Sequence, residues 1–327
     1  MILSTLVSRP SSPLRQMPNF TSTSCNPNWL SPWENVKYAA QMVYLLPVAL
    51  LYIRILYVIL KKHRKVYCKH QFFVIYSMDA VVGLLLLLLD IFITRLFIYT
   101  PQFCLSASAF FLSNPFLMHI YYPLLNYLHC SRAFIQIFLT TNRMSSVLFP
   151  LDHNKIWASK MSLIILFVTL APFLFIWNAI ISRKYLIYYF GGFIINYSKA
   201  VSWARMSTVL MVIRSVTVGV TVVSTIVTFW RMTKMKKRLR RSERMMCVAS
   251  ALISLCFMFP AGFEALTVFS TAWYDSNLGF LFQPFAWDVL NVGSPLVMIF
   301  VSSQLRAHVF SKDSGAVLFS GSNRLSD

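Results

Sequence analysis

Ionisable residues stand inside runs dominated by Leu, Ile, Val and Phe, among them Asp79, Asp90, Arg132, Arg214, Glu264 and Asp288. A charge in such a run costs about 2.5–3.5 kcal/mol on insertion scales, so each needs an opposite charge, a polar cavity or a functional reason. Metal and nucleophile chemistry find little support. The six histidines form no HExxH, and the six cysteines form no CxxC. No cofactor motif and no enzyme constellation is present. The chemistry open to these residues is ion pairing, ligand recognition and conformational switching.

The elements that hold them follow from composition. The chain has 327 residues and a mean hydropathy of +0.62, with only 12% charged residues. That is half the charged share of a typical soluble domain, about a quarter. A net charge of +20 suggests nucleic acid at first. That partner is excluded because the charges sit in short clusters between apolar runs of membrane length. A helix needs about 20 apolar residues to cross a bilayer. Seven runs qualify: 38–60, 71–95, 116–142, 161–181, 206–230, 245–270 and 284–304. Helices are required because an isolated strand leaves backbone groups unpaired in lipid. The expected fold is an all-α membrane protein, a seven-transmembrane helix bundle over 38–310. Tails precede it (1–37) and follow it (311–327).

Lys and Arg set the orientation. With the N-terminus outside, inner segments hold 19 of them and outer segments 8. This predicts N-terminus outside and C-terminus inside. The glycosylation sequons at Asn19 and Asn196 both fall on the outer side. No cleavable signal peptide is evident in the Pro-rich start.

The third span carries a polar seam. Tyr122, Asn126, His129, Ala133, Gln136, Thr140 and Arg143 recur at helical spacing. One reading is ordinary inward burial of polar groups; the other is a helix lining a pocket at one end and facing a partner at the other. At 1.5 Å per residue, Asp79 and Arg132 lie about 12 and 16 Å from the inner ends of their spans. A contact between them is expected, direct or through Asn126, His129 or Asn291. In the outer half, Asp90, Arg214, Glu264 and Asp288 reach similar heights. Either they merely meet the interface, or they serve a pocket for a small polar or cationic ligand, walled by His119, Tyr122, Asn126, Arg214, Glu264 and Asp288. Arg54, two turns from the inner end of the first span, is expected to snorkel to the headgroups.

The third span ends TTNRMSSVLFP, with Pro150 closing the helix. The run Asn142-Arg143-Met144, a Ser pair, a short apolar stretch and Pro resembles the nematode serpentine chemoreceptors, class gamma and relatives such as class V. That resemblance spans about 38–310. It implies a G-protein-coupled, chemosensory receptor that binds a small molecule from outside and signals to a heterotrimeric G protein. It also implies the plasma membrane, with a neuronal sensory cilium as a candidate location. Asn142-Arg143-Met144 stands where rhodopsin-like receptors carry Asp-Arg-Tyr. Asp79, Arg132, Asn142, Arg143, Asn291 and Pro295 are then the switch candidates.

Departures from the rhodopsin-like pattern are clear. No Asp precedes Arg143, and the seventh span reads Asn291-Val292-Gly293-Ser294-Pro295 without a following Tyr motif. Residues 182–205 contain no Cys, so the usual outer disulfide cannot form. Cys104 with Cys25, both placed outside, is the candidate pair; two free thiols are the alternative. The basic run Arg231–Arg244 reads as an inner-leaflet anchor that frames a partner cleft with Arg143. A short surface helix is expected near 304–310, and a disordered Ser-rich tail beyond it. A membrane transporter or ligand-gated channel is the competing class. Transporters commonly carry internal repeats and paired broken helices, and channels a filter or charged ring; neither is evident.

Overall fold

The computed structural model describes Cys25 and residues 31–189, 191–201, 203–234, 241–269 and 277–310. Its long helices are α1 (Ser31–Tyr57), α2 (Gln71–Leu89), α3 (Pro115–Leu148), α4 (His153–Ile181), α5 (Met206–Lys234), α6 (Arg241–Phe269) and α7 (Asn277–Val301), with a short α8 (Ser303–Phe310). Six of the seven are individually long and apolar enough to cross a bilayer. α3 becomes the seventh when joined to the apolar helix Pro101–Ser113, from which it turns by 98°. Its own composition falls short because the polar seam dilutes it, yet its 34 residues reach about 51 Å.

Helix boundaries follow local chemistry. α3 starts with Pro115 at its first turn, where a missing N–H costs nothing. It stops at Leu148 because Phe149, preceding Pro150, is pushed out of the helical region to φ −128°, ψ 63°. Two stretches widen into π-helix, Val58–Lys62 after α1 and Asp90–Arg95 after α2. The second π-turn matters for the site below.

The bundle has two ends. One carries α8 and the basic Lys61–Lys69 segment. The other carries an element outside the all-α expectation, an antiparallel hairpin of β1 (Arg183–Tyr189) and β2 (Gly192–Ser198), with Arg183 opposite Ser198. Its residues are aromatic and β-branched, and Gly191 turns at φ 78°. Gly192 is needed for a different reason: a Cβ there would lie 2.0 Å from the Phe97 carbonyl oxygen. The hairpin therefore lies directly on the chain after α2. Phe193 seals the contact, stacked on Phe97 at 5.1 Å. Cys25 is disulfide-bonded to Cys104 at this end.

The main apolar core joins α1, α2, α3, α4, α6, α7 and α8 through residues such as Tyr52, Phe72, Ile135, Ile253 and Leu305. A second cluster, around Cys130, Ala179, Leu210, Phe257 and Leu290, packs α3 to α5, α6 and α7.

Candidate functional site

The charges resolve into three buried clusters. The deepest is built around Arg132 of α3. Its Nε lies 3.3 Å from Asp79 Oδ1 of α2, and Nη1 bonds Asn291 Oδ1 of α7. Nη2 donates to the Tyr52 hydroxyl at 3.5 Å and the Leu290 carbonyl at 3.4 Å. Ser294 Oγ donates to the other Asp79 oxygen at 2.8 Å. Pro295 explains part of this arrangement. Lacking an N–H, it leaves the Asn291 carbonyl without its helical partner, and Tyr52 Oη donates to that carbonyl at 2.9 Å. Gly83 makes room, since a Cβ there would sit 2.8 Å from Tyr52 Oη and 3.3 Å from Arg132 Nη2. One guanidinium thus joins α1, α2, α3 and α7, with every nitrogen paired.

The second cluster sits near the hairpin end and is centred on Arg95. In an α-helix, residues five apart diverge; the i→i+5 bonding of the π-turn brings Asp90 and Arg95 together. Arg95 Nε donates to Asp90 Oδ2 at 2.5 Å, and Nη2 to Asp288 Oδ1 at 2.5 Å. Nη1 reaches Gln41 Oε1 at 3.0 Å and Asp288 Oδ2 at 3.1 Å. Tyr44 of α1 donates to Asp288 as well. This cluster ties α1 and α7 to the end of α2.

The third cluster lies between α3, α5, α6 and α7. Arg214 pairs with Glu264. Its guanidinium also lies 4.2 Å from the ring centre of Trp287, which His129 packs against at 4.1 Å. Arg214 Nη2 and His129 Nδ1 are buried and have no hydrogen-bond partner among the described residues.

At the basic end, Arg143 donates to Asn142 Oδ1 at 2.8 Å and packs its guanidinium 4.1 Å from the Phe72 ring. Arg143 Nε and Asn142 Nδ2 are buried without partners among the described residues. Farther up the seam, Gln136 donates to Ser254 of α6 at 2.8 Å. Trp157 and His153 of α4 meet Ser145 at 2.7 and 3.1 Å.

Several expected positions need correction. His119 is exposed near the start of α3, apart from the three buried clusters. By spacing it shares the seam's stripe, three residues before Tyr122 and seven before Asn126, but that stripe is exposed in the first turns of α3. Asp288 does not join Arg214 and Glu264; it belongs to Arg95, which the charge count places in an outer loop. Height along a span gives no azimuth around the bundle, so it groups residues at one level that lie on different sides. Asn126 stays on the seam but donates to its own Tyr122 carbonyl at 2.7 Å instead of bridging Asp79 and Arg132. Tyr122 packs on Tyr197 of the hairpin at 5.1 Å. Asn196 is half-buried in β2, its Oδ1 accepting the Tyr197 N–H at 2.8 Å. Arg54 is exposed and its Nε donates to the Val309 carbonyl at 3.2 Å, tying α1 to α8. Asn19, residues 235–240 of the basic run and the tail 311–327 lie outside the described residues.

Sequence reasoning alone misses Arg95, Gln41, Tyr44, Tyr52, Ser294 and Trp287. The signal for Tyr52 is Pro295 itself, which must orphan a carbonyl one turn earlier. The signal for Arg95 is its distance of five residues from an intramembrane acid, legible only if the helix widens there.

The sequence has known relatives. The Srg family chemoreceptor pattern matches residues 38–309. Serpentine receptor class gamma-9 of Caenorhabditis elegans is 61% identical over 291 residues, covering 89% of this chain and 87% of the relative. Serpentine receptor class gamma-8 of the same organism is 59% identical over 288 residues, 88% of this chain and 90% of the relative. Serpentine receptor class gamma-2 is 46% identical over 287 residues, 88% of each. A match over most of the chain, on a bundle of this architecture, makes this a multi-pass membrane protein that belongs to the Srg family of chemoreceptors.

Proposed function

We propose that this chemoreceptor lies in the plasma membrane of a sensory cell with its hairpin end outside, binds a small molecule in that half of the bundle, and signals to a heterotrimeric G protein at its Arg143 end. The reading is supported by the continuous buried seam of α3. It runs from Tyr122 under the hairpin, past Arg132, to Gln136, Thr140 and Asn142, and ends beside Arg143. The stages touch neighbouring helices in turn: α7 and α2 at Arg132, α6 at Gln136, and α2 again at Arg143 through Phe72. A ligand that favours one arrangement of those neighbours at the hairpin end shifts the arrangement at the other end. Asn142 Nδ2 and Arg143 Nε supply unpaired donors for the acceptors of an incoming helix terminus.

Two measurements test this. An N-terminal epitope should be reachable on intact cells, with a glycosidase-sensitive shift that disappears when Asn19 and Asn196 are replaced. Membranes carrying the full-length receptor and a panel of Gα subunits should show basal or odorant-evoked nucleotide exchange, and Arg143→Ala should abolish it at equal surface abundance. Absence of exchange with every Gα tested would overturn G-protein coupling, and a tag reachable only after permeabilisation would overturn the orientation.

A further inference from the structure

We infer that the ligand group received between α3, α5, α6 and α7 is a hydrogen-bond acceptor bearing negative charge, such as the carboxylate of a small amphiphile, and that Arg214 is the residue that takes it. The inference rests on the receptor reading above and names the ligand chemistry of that site.

A count of acids and free valences decides the sign. Acidic residues in this half of the bundle suggest a cationic ligand at first, but these carboxylates are already matched. Asp90 and Asp288 both hold Arg95. Asp79, deeper, is held by Arg132 and Ser294. Glu264 is paired with Arg214. The open nitrogens of this cluster belong to Arg214 and His129. Arg214 is 2% exposed and its Nη2 has no acceptor; among the described residues, Glu264 is the one anion it meets. His129 Nδ1 also lacks a hydrogen-bond partner among the described residues, and both side chains pack on Trp287. An unpaired buried donor costs about 1–3 kcal/mol, more when charged. A ligand acceptor placed there recovers that cost, and a carboxylate suits the guanidinium fork better than a neutral acceptor.

On the outward faces of α6 and α7 lies an apolar cleft of 570 Å³, lined by Phe259, Gly262, Phe263, Phe285, Ala286 and Val289 among others; Arg214, His129, Glu264 and Trp287 do not line it. Phe263 and Ala286 are the chain neighbours of Glu264 and Trp287. A Cβ on Gly262 would meet nothing within 4 Å, so packing does not require a glycine there. Glycine in a helix interior costs about 1 kcal/mol relative to alanine, and its effect here is to keep the cleft hollow. An arriving carboxylate competes with Glu264 for Arg214, and this pair is an ionic link between α5 and α6. Ligand binding and release of that link are therefore one event.

The test uses the purified full-length receptor and three matched probes: hexanoate, hexanamide and hexylammonium. Thermal unfolding should shift upward with hexanoate in a concentration-dependent way, because a ligand of the folded state stabilises it by mass action. Hexanamide should give less and hexylammonium nothing. Arg214→Lys keeps a charge for Glu264 but loses the planar fork, so it should unfold near the wild-type temperature yet bind hexanoate about tenfold more weakly or worse. Lys184→Gln, a cation outside the cluster, should leave the hexanoate shift intact. Selective protection by hexylammonium, a hexanoate shift that survives Arg214→Lys, or no shift with any of the three overturns the proposal. The readout involves no G protein, so a receptor that fails to signal gives the same answer here.

Discussion

Arg132 and Arg214 are both buried guanidinium groups in one bundle, and they are held in opposite ways. Arg132 has a partner for each nitrogen, drawn from α1, α2 and α7. Arg214 has one carboxylate, one aromatic face and an unused nitrogen. A fully matched buried ion fixes the helices around it, because any movement strands a charge. An incompletely matched one can exchange its partner for another at small cost. The difference separates a clamp from a receiving site, although both residues interrupt their apolar spans in the same manner in sequence.

The largest effect should come from breaking the clamp. Asp79→Ala leaves Arg132 buried without its anion, a change that costs about 3–5 kcal/mol in comparable pairs. Glu264→Gln removes the corresponding anion from Arg214 but leaves an amide acceptor and the Trp287 face, which itself contributes about 2 kcal/mol when desolvated. Denaturation of the two variants in matched detergent should rank Asp79→Ala far below Glu264→Gln. An equal loss, or the reverse order, would remove the distinction between clamp and receiving site.

A smaller effect sharpens how the clamp is assembled. If Pro295 frees the Asn291 carbonyl for Tyr52, the two residues must be coupled. Tyr52→Phe should lose about 1 kcal/mol in the wild type, the usual net worth of one hydrogen bond. In a Pro295→Ala background, the alanine can supply the missing helical N–H, and the same substitution should cost much less. A double-mutant cycle measures the difference directly, and purely additive losses would mean the kink and the hydroxyl are independent.

Much of this is legible without the structure. The spans follow from apolar run length, and the α3 seam follows from 3.6-residue spacing, because both are local properties of the chain. The meeting of Asp79 and Arg132 can be expected because adjacent spans at matching depth leave two charges few other partners. The grouping of Asp288 with Arg214 fails because depth is local and azimuth is set by packing of the whole bundle. Arg95 is hidden by a π-turn, a register that the tertiary environment selects over the α-helical alternative. The hairpin does carry a signal, aromatic and β-branched residues flanking Gly191-Gly192. Its place between two spans obscures that signal, since the apolar runs on either side dominate the pattern.

The smallest expected effect concerns pairing outside the bilayer, where water and protons reach the contact. His308 of α8 stacks on His63 at 4.0 Å and meets the Tyr67 hydroxyl through Nδ1 at 2.7 Å. Burial, and then the neighbouring His63 and Lys62, push the His308 pKa below its usual 6.5. Burial raises the Tyr67 hydroxyl to about 12, so it stays protonated throughout. With the folded value depressed, the undocked helix binds a proton more readily than the docked one. Docking of α8 is therefore at full strength above pH 6.5 and weakens as pH falls below it, levelling off once the folded value is passed. Hydrogen exchange across Ser303–Phe310 should quicken on acidification over that window. His308→Asn should flatten the dependence while Leu305 and Val309 keep the helix seated. No such dependence is expected from the exchange of α3 around Arg132, where every nitrogen is matched inside the bundle; acid-quickened exchange there would show that even the clamp is open to protons.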